Sequence, residues 1–172
     1  ELARRGYDMI GVDASAEMLS KAYEQMWKQG ASGVLFLEQD MRAFELYGTV
    51  GAVSCCLDSV NYFTDLRELK EVFARVSLFM EPGGLFLFDV KSKDMFRQLG
   101  GTSSIQEEED LFCTWQYGYD SRSGHAQHQV DMFVEQDGGY VRFTEWHEQR
   151  AYSVETLKTA LAQAGLRLKG IY

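Results

Sequence analysis

Met9-Ile10-Gly11-Val12-Asp13-Ala14-Ser15-Ala16-Glu17-Met18-Leu19 is the stretch whose reading decides the fold. A short apolar run ends in an acid and opens at once into a helix, the strand-to-helix turn of a parallel α/β sheet. In such sheets ligands collect beyond the carboxyl ends of the strands, and an acid placed there accepts hydrogen bonds from ribose hydroxyls. Asp13 is therefore a candidate nucleoside anchor. Its other possible role, starting the next helix, suits Ser15 better, because a serine ahead of Met18 and Leu19 is a good N-cap.

Working outward, the helix from Ser15 runs to about Gln29, with Met18, Leu19, Ala22, Tyr23 and Met26 on one face. Gly30 and Gly33 close it. Val34-Leu35-Phe36-Leu37 and Gly51-Ala52-Val53-Ser54-Cys55-Cys56-Leu57 are continuous apolar runs, which predicts strands buried on both faces and makes both cysteines core residues. The first ends at Glu38-Gln39-Asp40-Met41 and the second at Asp58-Ser59-Val60-Asn61-Tyr62-Phe63. Thr64 or Asp65 then caps a helix from Leu66 to Met80, whose buried stripe is Leu66, Leu69, Phe73, Val76 and Met80. Glu81-Pro82-Gly83-Gly84 stops that helix and turns the chain into a strand over 85–90. Within it Asp89 lies at the crevice or serves as a structural acceptor.

The pattern changes near Lys91. From Glu107 to Tyr152 it alternates and is rich in aromatic residues, with turn signals at Asp120-Ser121-Arg122-Ser123-Gly124 and Asp137-Gly138-Gly139. This predicts three antiparallel strands, Leu111 to Tyr119, Gln127 to Glu135 and Tyr140 to Arg150. Ser153 caps a last helix that stops at Gly165, and Leu166 to Tyr172 reads as a final strand. The expected architecture is α/β, a doubly wound Rossmann-like sheet within one domain spanning 1–172. An antiparallel meander over 105–152 forms a cover, the expected acceptor-recognition region.

At 172 residues, 45% hydrophobic and 13% aromatic, the chain can bury a core of its own. A net charge of -9 disfavours nucleic-acid backbones and anionic membranes as partners, and favours a small-molecule substrate. No apolar run is long enough for a transmembrane helix. The three cysteines have no metal-ligand or disulfide spacing, so no metal is expected and a reducing cytoplasm is the plain reading.

Gly11-Val12-Asp13-Ala14-Ser15 followed by Met18-Leu19 resembles the second-strand motif of class I S-adenosylmethionine-dependent methyltransferases. Asp40-Met41, Asp58 and Pro82-Gly83-Gly84 follow in the order and at the spacing that this family shows. The resemblance spans roughly Glu1 to Val90 plus the final helix and strand, and its cover is similar to that of small bacterial methyltransferases. It implies S-adenosyl-L-methionine as cofactor, with Asp13 and the adjoining Ala14 at the ribose. It places Asp40 at the adenine amino group, the backbone N–H of Met41 at a ring nitrogen, and Leu57 and Asp58 beside the methionine part. The family's glycine-rich first motif normally lies upstream of Asp13. Glu1 to Gly6 reads as the last turn of the helix after it, so the chain is expected to be N-terminally truncated and, alone, inactive.

The reaction implied is in-line attack of an acceptor nitrogen, oxygen or carbon on the sulfonium methyl, so the enzyme mostly positions two reactants. A poorly nucleophilic acceptor needs a base. His147, in Phe143-Thr144-Glu145-Trp146-His147, is the candidate, while His125 and His128 are expected in solvent. Asn61, Tyr62, Arg150 and Tyr152 are candidate acceptor contacts, Arg150 alternatively pairing with Glu145 and Glu148. Two other functions stay open on the residues alone: a nicotinamide-dependent oxidoreductase, which also carries an acid after its second strand, and a catalytically silent binding module with the same fold.

Overall fold

The computed structural model describes residues 1–108, 111–136 and 138–172. A single 3₁₀ turn, Ala3–Arg5, leads into β1 (Met9–Asp13), α1 (Ala16–Lys28), β2 (Val34–Glu38) and β3 (Val50–Cys55). A second 3₁₀ turn, Ser59–Tyr62, precedes α2 (Leu66–Phe79), β4 (Met80–Phe88) and α3 (Lys93–Leu99). The rest comprises β5 (Ser103–Glu108), β6 (Leu111–Asp120), β7 (His125–Gln136), β8 (Gly139–Arg150) and α4 (Val154–Gln163).

Helix boundaries follow local chemistry. Ser15 is extended and its hydroxyl accepts the Met18 N–H at 3.2 Å, satisfying a donor that the first turn of α1 leaves orphaned. The other end needs a left-handed residue, which Gly30 supplies at φ +60. Gly30 N–H then reaches Trp27 C=O and Ala31 N–H reaches Met26 C=O, each at 3.0 Å. Asp65 caps α2 through the Arg67 N–H, and Ser153 caps α4 through the Thr156 N–H.

The parallel strands form two separate ladders. β1 pairs with β2 from Met9↔Val34 to Asp13↔Glu38, and β3 pairs with β4 from Val50↔Met80 to Cys55↔Phe88. The expected Pro-Gly-Gly turn lies inside β4, where the register shifts by a bulge between Val50 and Ala52. A Cβ on Gly84 would sit 2.9 Å from the Glu81 carbonyl and 3.0 Å from that of Gly51, so the bulge is built around a missing side chain.

Burial on both faces, expected from the apolar runs, is not what the strands show. Helices cover one face: Tyr23 of α1 meets the Phe36 ring edge-on at 4.6 Å, and Phe73 of α2 lies 5.8 and 5.5 Å from Phe86 and Phe88. The alternate side chains Leu35, Leu85 and Leu87 are exposed. Period 2 sends them to the face that no described helix covers. Cys55 is partly buried, but Cys56 is exposed, beyond the end of β3.

The main core joins α2 to α4. Leu69, Val72 and Phe73 pack with Leu157, Ala160 and Leu161, around Val60, Phe63 and Tyr152. Phe73 is wholly buried, so truncating it to alanine costs about 3–5 kcal/mol.

The cover is a four-stranded antiparallel sheet in the order β5-β6-β7-β8, one strand more than the alternation predicts. The turn between β6 and β7 is tied by Arg122 N–H and the Ser123 hydroxyl, both donating to the Asp120 carboxylate. Of the second predicted turn, Asp137 lies outside the described residues. α3, capped by Ser92, was also not expected; at seven residues it is too short to show a helical period. Its Phe96 stacks on Tyr119 and packs with Ala126 and Ala151. The stretch 166–172 joins no ladder among the described residues, because strand-like sequence becomes a strand only beside an edge it can pair with.

Candidate cofactor and acceptor site

Parallel pairing of β1 and β2 brings Asp13 and Glu38 level, so Asp13 and Asp40 emerge at the same sheet end. Ser15 N–H donates to Asp13 Oδ1 at 2.8 Å, which fixes the carboxylate at the strand terminus and leaves Oδ2 without a partner among the described residues. Asp40 is held by its neighbour: Arg42 donates to it from its backbone N–H, its Nε and its Nη2. Those Arg42 hydrogen bonds hold the Asp40 carboxyl below the usual carboxylate range. Glu68 of α2 takes the other end of Arg42 at 2.6 Å. Met41 packs against the main core, its sulfur 4.0 Å from that of Cys55.

After β3 the backbone is strained. Leu57 and Asp58 are both left-handed, at φ +60 and +49, a conformation that costs non-glycine residues roughly 1–3 kcal/mol each and persists only where surrounding contacts impose it. Here they do. Asp58 N–H donates to Asp89 Oδ2 at 3.1 Å, while Asp58 Oδ2 accepts from Lys91 Nζ at 2.7 Å and from Gln149 Nε2 at 2.5 Å. Asp89 is thus a structural acceptor, holding the segment that follows β3.

Asn61 is fully buried and its amide is spent on backbone: Nδ2 donates to Lys91 C=O and Arg150 C=O, and Oδ1 accepts Lys91 N–H. Tyr152 is also buried and donates to Phe63 C=O; burial pushes its phenol up. Arg150 lies over the Tyr152 ring and donates from Nη1 to Thr64 C=O, rather than pairing with Glu145 or Glu148. These three side chains brace β8 against the segment after β3.

Tyr62 and His147 meet in the open part of this joint. The Tyr62 hydroxyl lies 3.2 Å from His147 Nδ1, and His147 Nε2 lies 3.4 Å from Glu145. With the phenol donating to Nδ1, Nε2 carries the ring proton toward Glu145. Burial, then the nearby charges of Asp58 and Glu145, push the Tyr62 phenol up. His128, directly across the β7–β8 ladder, stacks on His147 with centroids 4.6 Å apart. It is buried rather than in solvent, and burial followed by repulsion from His147 lowers it to about 4. Sequence reasoning missed His128, Lys91 and Gln149. The alternation that puts His128 and His147 on one face was legible; which face met the crevice was not.

Comparison with known proteins supplies the identity that this geometry suggests. Residues 1–84 match the methyltransferase domain family. YqeM of Bacillus subtilis (strain 168), named as a methyltransferase, is 34% identical over 169 residues, covering 97% of this chain and 68% of that protein. The crystal structure of an S-adenosylmethionine-dependent methyltransferase from Clostridium acetobutylicum ATCC 824 is 31% identical with a TM-score of 0.82, covering 92% of this chain and 63% of that one. The CcbJ methyltransferase from Streptomyces caelestis shares the fold at TM-score 0.81 and 19% identity, over 98% of this chain and 68% of its own. A strand-end acid, a second acid on the neighbouring strand end, an imposed left-handed segment and these likenesses agree: the chain belongs to the class I S-adenosylmethionine-dependent methyltransferases.

Proposed function

We propose that the protein methylates a small molecule held between the strand ends and the antiparallel cover. The observation that carries this reading is the Tyr62–His147 pair, which sets a proton-accepting group of the cover beside the strained Leu57–Asp58 segment. The residues present fit the cofactor. Asp13 offers a fixed carboxylate for two ribose hydroxyls, with Ala14 beside it. Asp40 and the Met41 N–H suit the donor and acceptor edge of adenine, and the left-handed turn at Leu57 and Asp58 would lie along the methionine part. S-adenosylmethionine, when bound, supplies an activated methyl group.

The chain's own part is positional and protic. Left-handed Leu57 and Asp58 turn the backbone out of β3, and the bonds from Asp89, Lys91 and Gln149 hold it there without further ordering when ligands arrive. Tyr62, its own proton turned to His147 Nδ1, accepts a hydrogen bond from the acceptor atom; the proton that the acceptor loses passes to the Tyr62 oxygen as the Tyr62 proton moves to His147 Nδ1, and the charge on the ring is then met by Glu145. Asn61, Arg150 and Tyr152 keep β8 in place and do not touch the acceptor.

The test is calorimetric binding of S-adenosylhomocysteine followed by tritium transfer from methyl-labelled cofactor to a panel of amines, alcohols and carbon acids. Binding with transfer to at least one class is expected of residues 1–172 extended upstream through the glycine-rich motif that the family resemblance implies. A folded extended protein that neither binds nor transfers overturns the reading.

A further inference from the structure

The face of the cover turned away from Tyr62 and His147 carries a second concavity, of about 640 Å³, along β5 to β8. One cross-strand row runs through it, Ser103↔Gln116↔Gln129↔Trp146. Gln127 and Thr114 flank that row on the same face. No lining residue is charged, although a quarter of the chain is. We propose that this concavity is a binding site for a neutral, polyhydroxylated ligand of the sugar class, separate from the methyl-transfer site.

Three features point to that chemistry. Trp146 is 68% exposed, and a large flat indole left in water on a rigid sheet offers its electron-rich face to the polarised C–H groups on one side of a pyranose ring. Two of the glutamines are oriented from outside the cavity: Gln127 Nε2 donates to Glu148 at 2.9 Å, and Gln129 Nε2 donates to Asp131 at 2.8 Å. Asp131 is itself fixed by Arg142 and Thr144. Each amide is thereby held in one orientation, with its carbonyl oxygen left for a hydroxyl donor. Finally, hydroxyl groups that donate and accept find both functions in amides and in Ser103 and Thr114, whereas an ionic ligand would meet no counter-charge in the lining. The site makes no use of the cofactor crevice, since successive side chains of β8 point to opposite faces and Trp146 precedes His147.

The indole N–H resonances of Trp27, Trp115 and Trp146 in ¹⁵N-labelled protein read this directly. Maltose, cellobiose and N-acetylglucosamine are titrated as probes, with citrate and adenosine monophosphate as charged controls. The Trp146 resonance should shift saturably with at least one sugar and with neither control, while that of Trp27, on α1, stays still. Trp146→Ala should weaken sugar binding about tenfold, Trp146→Tyr should restore part of it, and Gln129→Leu should weaken it roughly fivefold. No shift with any of the three sugars, or equal shifts with the charged controls, overturns the proposal. So does sedimentation showing a dimer that Trp146→Ala dissociates, because the face would then be covered by a second copy of the chain.

Discussion

Asp13 stands at a strand end with one oxygen committed to Ser15, and its remaining lone pairs are what the ribose would use. Asp13→Ala should therefore weaken S-adenosylhomocysteine binding roughly tenfold to a hundredfold in a protein that keeps its circular dichroism; unchanged affinity by calorimetry would remove Asp13 from the site. His147 is proposed to act on the other reactant. His147→Gln should lower kcat by roughly 10²–10⁴ while cofactor affinity holds, and an equal loss of cofactor binding would mean that the ring only supports the fold. His128 makes a separate statement about stability. Its folded value near 4 lies below the ordinary 6.5, so the unfolded chain takes up this proton first as pH falls. The stabilisation is complete above pH 6.5 and is lost progressively down to about 4, up to about 3 kcal/mol in all. His128→Phe should flatten the denaturant midpoint across that window; a slope as steep as in the unaltered protein would show that another group is responsible.

At the level of elements, β8 belongs to both sides of the proposed reaction. It carries His147, the proposed base, against Tyr62, and through Gln149 it also grips Asp58, in the segment proposed to hold the cofactor. A cover that served only the acceptor would not be built into that joint. Gln149 is fully buried, and replacing it by leucine leaves the Asp58 carboxylate with Lys91 alone and deprives Lys91 Nζ of its second acceptor. Gln149→Leu should cost about 1–3 kcal/mol in urea unfolding and also weaken cofactor binding. Lost stability with intact cofactor affinity would reduce Gln149 to packing. The caps, by contrast, act locally: Ser15 and Ser153 sit where their helices begin because the first-turn N–H groups need an acceptor.

Across the whole molecule, packing is uneven. In the unit of β1, α1 and β2 the buried apolar side chain is Leu19, whereas β7 alone buries Ala126, His128, Val130 and Asp131. Regions with few buried contacts open at lower free energy, so hydrogen exchange should be faster in peptides over 9–38 than over 125–150. Equal protection would mean that the two halves open only together. The sequence alone determined what depends on neighbours in the chain. The apolar run ending at Asp13, the capping serines, the apolar stripe of α2 and the period-2 meander are all set within a turn or a strand, where propensity and hydrogen-bond demand are decided. The class I resemblance was legible for the same reason, since its motifs are short strand ends in a fixed order. Only the tertiary structure decided which side of each strand is covered, and so why Leu85, Leu87 and Cys56 are exposed while His128 is buried. It also decided the partnerships of Asp58 with Lys91 and Gln149, of Asn61 with the β8 backbone and of Tyr62 with His147, which join residues 33, 91, 89 and 85 positions apart. No local pattern encodes such pairs; they arise when burial brings together polar groups that must then satisfy one another.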